Sequence, residues 1–262
     1  MFLPLLLAAA PPAPAPPAAA PDPVVIALVA GEDGRQCLPD HSLCLDVPGG
    51  AESNDNGLML TAPDTGKADD LALPFGRGDG QTLRLWPHLI ALSGEDGAAV
   101  DARHYLMGVV VSVSSAYSGG GGAGSRLHLV RLDTTPSTTR LGDEVLDVVW
   151  DSSLIIRACF SEQDMKDRRE ACHDEYRFTG TLAAGPADAG AMPALIYRSV
   201  ATAYPRGARR SQDNSGVRLA AADLVHETDP ECSYERTLRY NPATSHYEMD
   251  RPAPDCSDYT TP

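Results

Sequence analysis

Apolar positions recur at every second residue along most of the chain, the period of a half-buried β-strand rather than of a helix. Tyr105, Met107, Val109, Val111 and Val113 share one face, with Gly108, Ser112 and Ser114 on the other, which predicts a half-buried strand ending at Tyr117. Next comes Ser118-Gly119-Gly120-Gly121-Gly122-Ala123-Gly124, a loop too glycine-rich to hold one shape unaided. Residues 126–132 then predict the return strand of a hairpin, with Leu127 and Leu129 inward and His128 outward. A second hairpin is predicted from residues 145–150 and 154–160 about an Asp151-Ser152-Ser153 turn. Tyr176, Phe178 and Leu182 alternate with Arg177, Thr179 and Thr181, residues 195–204 follow, and a last hairpin turns at Asn241-Pro242-Ala243-Thr244 between residues 234–240 and 245–249. One short helix is predicted over 161–171, where Ser161 caps it, Asp164 holds the reciprocal capping-box position and Arg168 and Arg169 lie near its negative end. Residues 24–30 read as the first strand, and 49–80, apolar only at 58–60 and 71–75, as irregular surface loop. The expected fold is mainly β, built of antiparallel hairpins in a meander-like sandwich, barrel or small propeller, and no fixed-period repeat favours the propeller.

Composition supplies the setting. Hydrophobic residues make up 43% of the 262 but aromatics only 6%, so the core is expected to consist mainly of Val, Leu, Ile and Ala. The apolar run from Phe2 to Ala10 and the Ala/Pro-rich stretch up to Pro23 read as a signal peptide and leader over 1–23, followed by a single β-rich domain over 24–262. That apolar run is too short to span a bilayer, so no membrane span is expected. The formal charge of −15 opposes nucleic acid and anionic lipid as partners. Six cysteines fall into three local pairs, Cys37 with Cys44, Cys159 with Cys172 and Cys232 with Cys256. An even number behind an export signal implies disulfides in the periplasm or outside the cell, and nearest-neighbour pairing is the reading adopted among the connectivities that six allow. Loops of these lengths would each contribute about 2.5 to 3.5 kcal/mol in the loop-entropy model. There is no C-x-x-C and only one adjacent Cys–His pair, so the cysteines do not read as a metal site.

The sequence contains no nucleophile elbow, no H-E-x-x-H and no phosphate-cradling glycine loop ahead of a helix. Its densest polar constellation is Cys172-His173-Asp174-Glu175, where alternation puts His173 and Glu175 on one face and Asp174 on the other. A catalytic reading makes His173 a base or ligand and Glu175 its neighbour; the preferred reading is a solvated, charged strand entrance beside a disulfide. Glu52, Asn54 and Asn56 before Gly57 imitate the start of a calcium loop, but Pro63 stands where the bidentate acid belongs. Asp69-Asp70 and the acidic Gly31–Gly34 and Gly94–Gly97 stretches read as turns, and Arg77-Gly78-Asp79 is given no role. Arg206-Gly207-Ala208-Arg209-Arg210, the one basic cluster, reads as a solvated loop. The seven histidines lack ligand spacing, so no cofactor or metal is expected, although a zinc site assembled from distant residues would leave no trace in spacing.

The segments 156–162 and 171–176, with Tyr117-Ser118-Gly119-Gly120 and the ending Asp255-Cys256-Ser257, resemble an uncharacterised family of exported bacterial β-rich proteins with paired cysteines. The resemblance covers roughly residues 83–262, implies export and paired cysteines, and carries no activity. The aromatic hairpin from Tyr234 to Tyr247 is similar to small periplasmic β proteins that inhibit lysozymes. These features lead to the expectation of an exported, non-catalytic binding or envelope-associated module for a protein or a cell-surface glycan. Exposed aromatics grouped on one face would mark such a module, with Trp86 and Trp150 the first to examine. The alternatives are an exported hydrolase with a dispersed site around His173, and a protease or lysozyme inhibitor with one rigid protruding loop.

Overall fold

The structure is a computed structural model describing residues 24–31, 34–47, 57–62, 67–76, 78–92, 103–135, 138–185 and 192–261. The leader, Glu32 and Asp33, Glu52 to Asn56 with Pro63, Arg77 and Gly94 to Gly97 lie outside the described residues. In chain order the described elements are β1 (Val24–Ala27), β2 (Val29–Ala30), β3 (Gln36–Cys37), β4 (Cys44–Asp46), β5 (Gly57–Ala62), β6 (Lys67–Ala72) and β7 (Gln81–Ala91). They continue with β8 (Arg103–Tyr117), β9 (Gly120–Thr134), β10 (Thr139–Arg157), helix α1 (Glu162–Asp167), β11 (His173–Ala184) and β12 (Leu195–Tyr204). The last are β13 (Glu227–Thr228), β14 (Glu235–Asn241), β15 (His246–Met249) and α2 (Ser257–Thr260).

The fold is mainly β and antiparallel, as the alternation predicts. A ten-stranded sheet runs β1-β7-β8-β9-β10-β11-β12-β14-β15, with β13 on β12, and a five-stranded sheet runs β2-β3-β4-β5-β6. β1 also touches β11, and β15 touches β10, so the large sheet curls around a first core that includes Trp86, Leu106, Leu127, Leu146, Tyr176, Phe178 and Tyr197. A second core joins Leu45, Leu58 and Leu60 of the small sheet to Leu83, Tyr105, Met107, Val109 and Leu132 of the large one. Residues 105–111 are therefore buried throughout rather than on one face, because a core packs against each side of β8.

Several sequence expectations are corrected. The glycine run is not a loose loop: only Ser118 and Gly119 turn, and Gly120 to Gly124 form strand, paired with β8 on one side and β10 on the other. Two ladders offset the glycine entropy, and at Gly120 a Cβ would run into the carbonyl oxygen of Ile155. The second predicted hairpin is one continuous strand, β10, with a register shift between Val149 and Asp151. Asp151-Ser152-Ser153 has turn chemistry, yet pairing with β9 and β11 holds it extended, and the buried Ser152 hydroxyl donates to the Ala123 carbonyl. Residues 24–30 divide between the two sheets. Within the supposed surface loop, β5 and β6 pair, Asp69 and Asp70 included, because Leu58, Leu60 and Leu73 reach the second core. The helix stops at Asp167, since Arg169 and Glu170 adopt positive φ (52° and 67°) to bring Cys172 back to Cys159.

Candidate functional site

The corner where β8, β9, β10 and α1 meet gathers exposed apolar and cationic side chains. Ile155 and Arg157 point the same way from β10, two residues apart. The Arg157 guanidinium carbon lies 5.2 Å from the centre of the Phe160 ring, while its Nε donates to the Cys159 carbonyl at 2.7 Å. Its amide donates to Gly119 at 2.6 Å, and a Cβ placed at Gly119 would sit 3.8 Å from the Tyr117 ring and 3.9 Å from Arg157 Cβ. Phe160 thus lies against Arg157, while Tyr117, in register with Ile156 through Gly120, stands on the other side of Gly119; Tyr117 and Phe160 are 50% and 66% exposed.

Local chemistry makes this corner rigid. Ser161 Oγ accepts from the Asp164 amide, and Asp164 Oδ2 accepts from the amides of Phe160 and Ser161 at 2.8 and 2.9 Å. Those bonds, the Phe160 amide first and then the Ser161 side chain, hold the Asp164 carboxyl below its ordinary value. Phe160 and Met165 occupy the N′ and N4 positions of a hydrophobic staple, yet both remain exposed. Behind them Cys159 is bonded to Cys172, and the Ala158 amide donates to the Cys172 carbonyl.

Under this corner lies a buried polar network. Arg168, 1% exposed, donates to the carbonyls of Ala171 and Asn214 and to Asp174 Oδ1, while the Asn214 amide donates to Asp174 Oδ2 at 2.9 Å. Tyr176 beside it is pushed up to about 12, by burial first and the Asp174 charge second. A cleft of about 170 Å³ opens here, lined in part by Arg157, Phe160, Tyr176, Arg210 and Gln212.

His173 and Glu175 both lie on the exposed side of β11, and neither makes a side-chain hydrogen bond or ion pair among the described residues. Asp174 points the opposite way into the network. Trp86 is buried and packs edge-on against Trp150 at 6.1 Å, so the two tryptophans belong to the first core rather than to a recognition face. In the basic cluster Arg206 is exposed, whereas Arg209 donates to Ala208 and Arg210 to the Ser257 and Thr261 carbonyls. The cysteines form Cys37–Cys44, Cys159–Cys172 and Cys232–Cys256 disulfides.

Sequence reasoning missed a histidine cluster. His128 does not point outward to water: it is half-buried on β9, stacked on Phe75 at 4.5 Å, with Nδ1 2.7 Å from Glu144 Oε1 and Nε2 3.8 Å from Asp147 Oδ1. Arg126 Nε donates to the same Asp147 oxygen at 2.6 Å. Sixteen and nineteen residues separate His128 from Glu144 and Asp147 in the chain, and cross-strand register unites them. Among the described residues the other close donor group, Cys37, His41 and Cys44, offers no thiolate because its cysteines are oxidised.

No family model, no curated protein and no solved structure matches the chain.

Proposed function

We infer that this protein is an exported, non-catalytic binding module whose contact surface is the corner formed by Tyr117, Ile155, Arg157 and Phe160. The stacking of exposed Phe160 on Arg157 at a disulfide-clamped turn, with exposed Ile155 on the same strand and Tyr117 at the neighbouring strand end, carries this reading. Aromatic residues and arginine dominate the energetic centres of protein interfaces, and a rigid presenting element lowers the ordering cost of association. Isoleucine beside them favours a protein partner over a glycan. Three intramolecular disulfides, typical of exported proteins, support placement in the periplasm or outside the cell. Membership of the exported β-rich family with paired cysteines belongs to the same proposal.

The test places a photo-crosslinking residue at Phe160 or, as control, at Val200, which is exposed on β12. Each oxidised chain is presented to an envelope and secreted fraction. We expect one protein adduct from position 160 alone, lost when Arg157→Glu is added. Equal adducts from both positions, or none from 160, overturn the reading. Binding on a glycan array that disappears in Phe160→Ser would replace the protein partner with a carbohydrate.

A further inference from the structure

The geometry points to a divalent transition-metal site, best suited to Zn²⁺, between His128 and Asp147. Two side chains in direct register on β9 and β10 supply the ligands, His128 Nε2 and Asp147 Oδ1, 3.8 Å apart. That separation is too long for a hydrogen bond, whose heavy atoms approach to about 2.7–3.2 Å. It is the spacing of two donors that share an ion, since Zn–N and Zn–O bonds of about 2.1 Å span it at an open angle.

The surroundings favour the same assignment. With a proton on Nδ1, His128 donates to Glu144 Oε1 at 2.7 Å and turns the lone pair of Nε2 toward Asp147. This is the carboxylate–histidine–metal relay that fixes the tautomer and raises ligand basicity. The Phe75 ring, stacked 4.5 Å away, holds the imidazole plane. Arg126 steadies Asp147 through one lone pair of the same oxygen, and a carboxylate has others to offer. Arg126 and His128 also line a cleft of about 320 Å³, so the imidazole borders open space. An imidazole ligand excludes the hard ions Ca²⁺ and Mg²⁺, which take oxygen donors.

Zn²⁺ titration of the full oxidised chain, followed by calorimetry and by X-ray absorption of the loaded protein, tests the site. We expect one ion per chain in a mixed nitrogen and oxygen shell, with one histidine ligand. His128→Ala and Asp147→Asn should each lower affinity at least tenfold, and Glu144→Gln about 10- to 100-fold through the lost orienting carboxylate. Circular dichroism and a mass showing three disulfides verify that each variant is folded. Should a variant fail that check, the absorption spectrum of the unaltered protein still decides, because a shell without a histidine nitrogen overturns the proposal. So does absence of Zn²⁺ uptake, or uptake unchanged in folded His128→Ala.

Discussion

Burying a guanidinium costs several kcal/mol unless partners replace its water, and Arg168 has those partners in Asp174 and two backbone carbonyls. Arg168→Met would leave Asp174 buried with only Asn214 to meet it. The variant should lose about 3–5 kcal/mol of stability, read as a lower urea midpoint. Adding Asp174→Leu should recover much of that loss, since an apolar pair removes the stranded charge; an unchanged midpoint in the single variant would contradict the role given to Arg168. The sequence places Arg168 at a helix end and Asp174 on the opposite face from His173, and both placements are visible in the structure. It does not reveal their meeting, because the bond depends on the chain reversing through Arg169 and Glu170.

At the level of elements, α1 and its cap connect local chemistry to the exposed corner. Ser161→Ala removes the acceptor for the Asp164 amide and should cost about 1 kcal/mol, measurable by denaturation. Asp164 brings a pH dependence with a definite sign. Its carboxyl is held below the ordinary value of 3.8, so its contribution is present above that pH and is lost as pH falls through the lower folded value. Protection of the Phe160 and Ser161 amides, exchange measured against the intrinsic rate at each pH, should fall as pH drops below 3.8 in the unaltered protein, and Asp164→Asn should flatten that acid dependence. Unaltered protection as Asp164 is protonated would show that the cap does not hold Phe160. The capping box was legible because it is a four-residue signal. β12 and the last hairpin were legible because alternation and turn residues agree there. The Gly120–Gly124 and Asp151–Ser153 segments misled, since local propensity favours turns and only strands on both sides make extended backbone worthwhile. The histidine cluster was illegible for the same reason: register, rather than spacing, creates it.

For the whole molecule, the disulfides and the buried tyrosines set the limits of stability. Alkylation of the native protein should label no cysteine, and reduction under denaturation should expose six. Tyr176 is pushed up to about 12, and Tyr197 and Tyr259 are also raised, burial being the first cause in each. A tyrosine whose folded value exceeds its unfolded value of 10 contributes stability that is complete below that pH and is lost as pH rises through the folded value. Ultraviolet titration should therefore show these residues ionising last, together with loss of the fold above pH 10. Ionisation of all nine tyrosines near 10 in a still-folded chain would contradict this packing.

The order of the large sheet also governs the timing of assembly. From β7 to β12 each strand pairs with its successor in the chain, so every step closes a short loop, and short closures are fast. The longest wait falls on β1, because its partner β7 arrives only after β2 to β6 have passed, whereas β14 returns to β12 past β13 alone. A polypeptide delivered from its N-terminus must keep β1 waiting while the small sheet zips locally. β7 to β12 can pair in order whether or not β1 has docked, so the edge strand can be the last to join a sheet that its neighbours have already built.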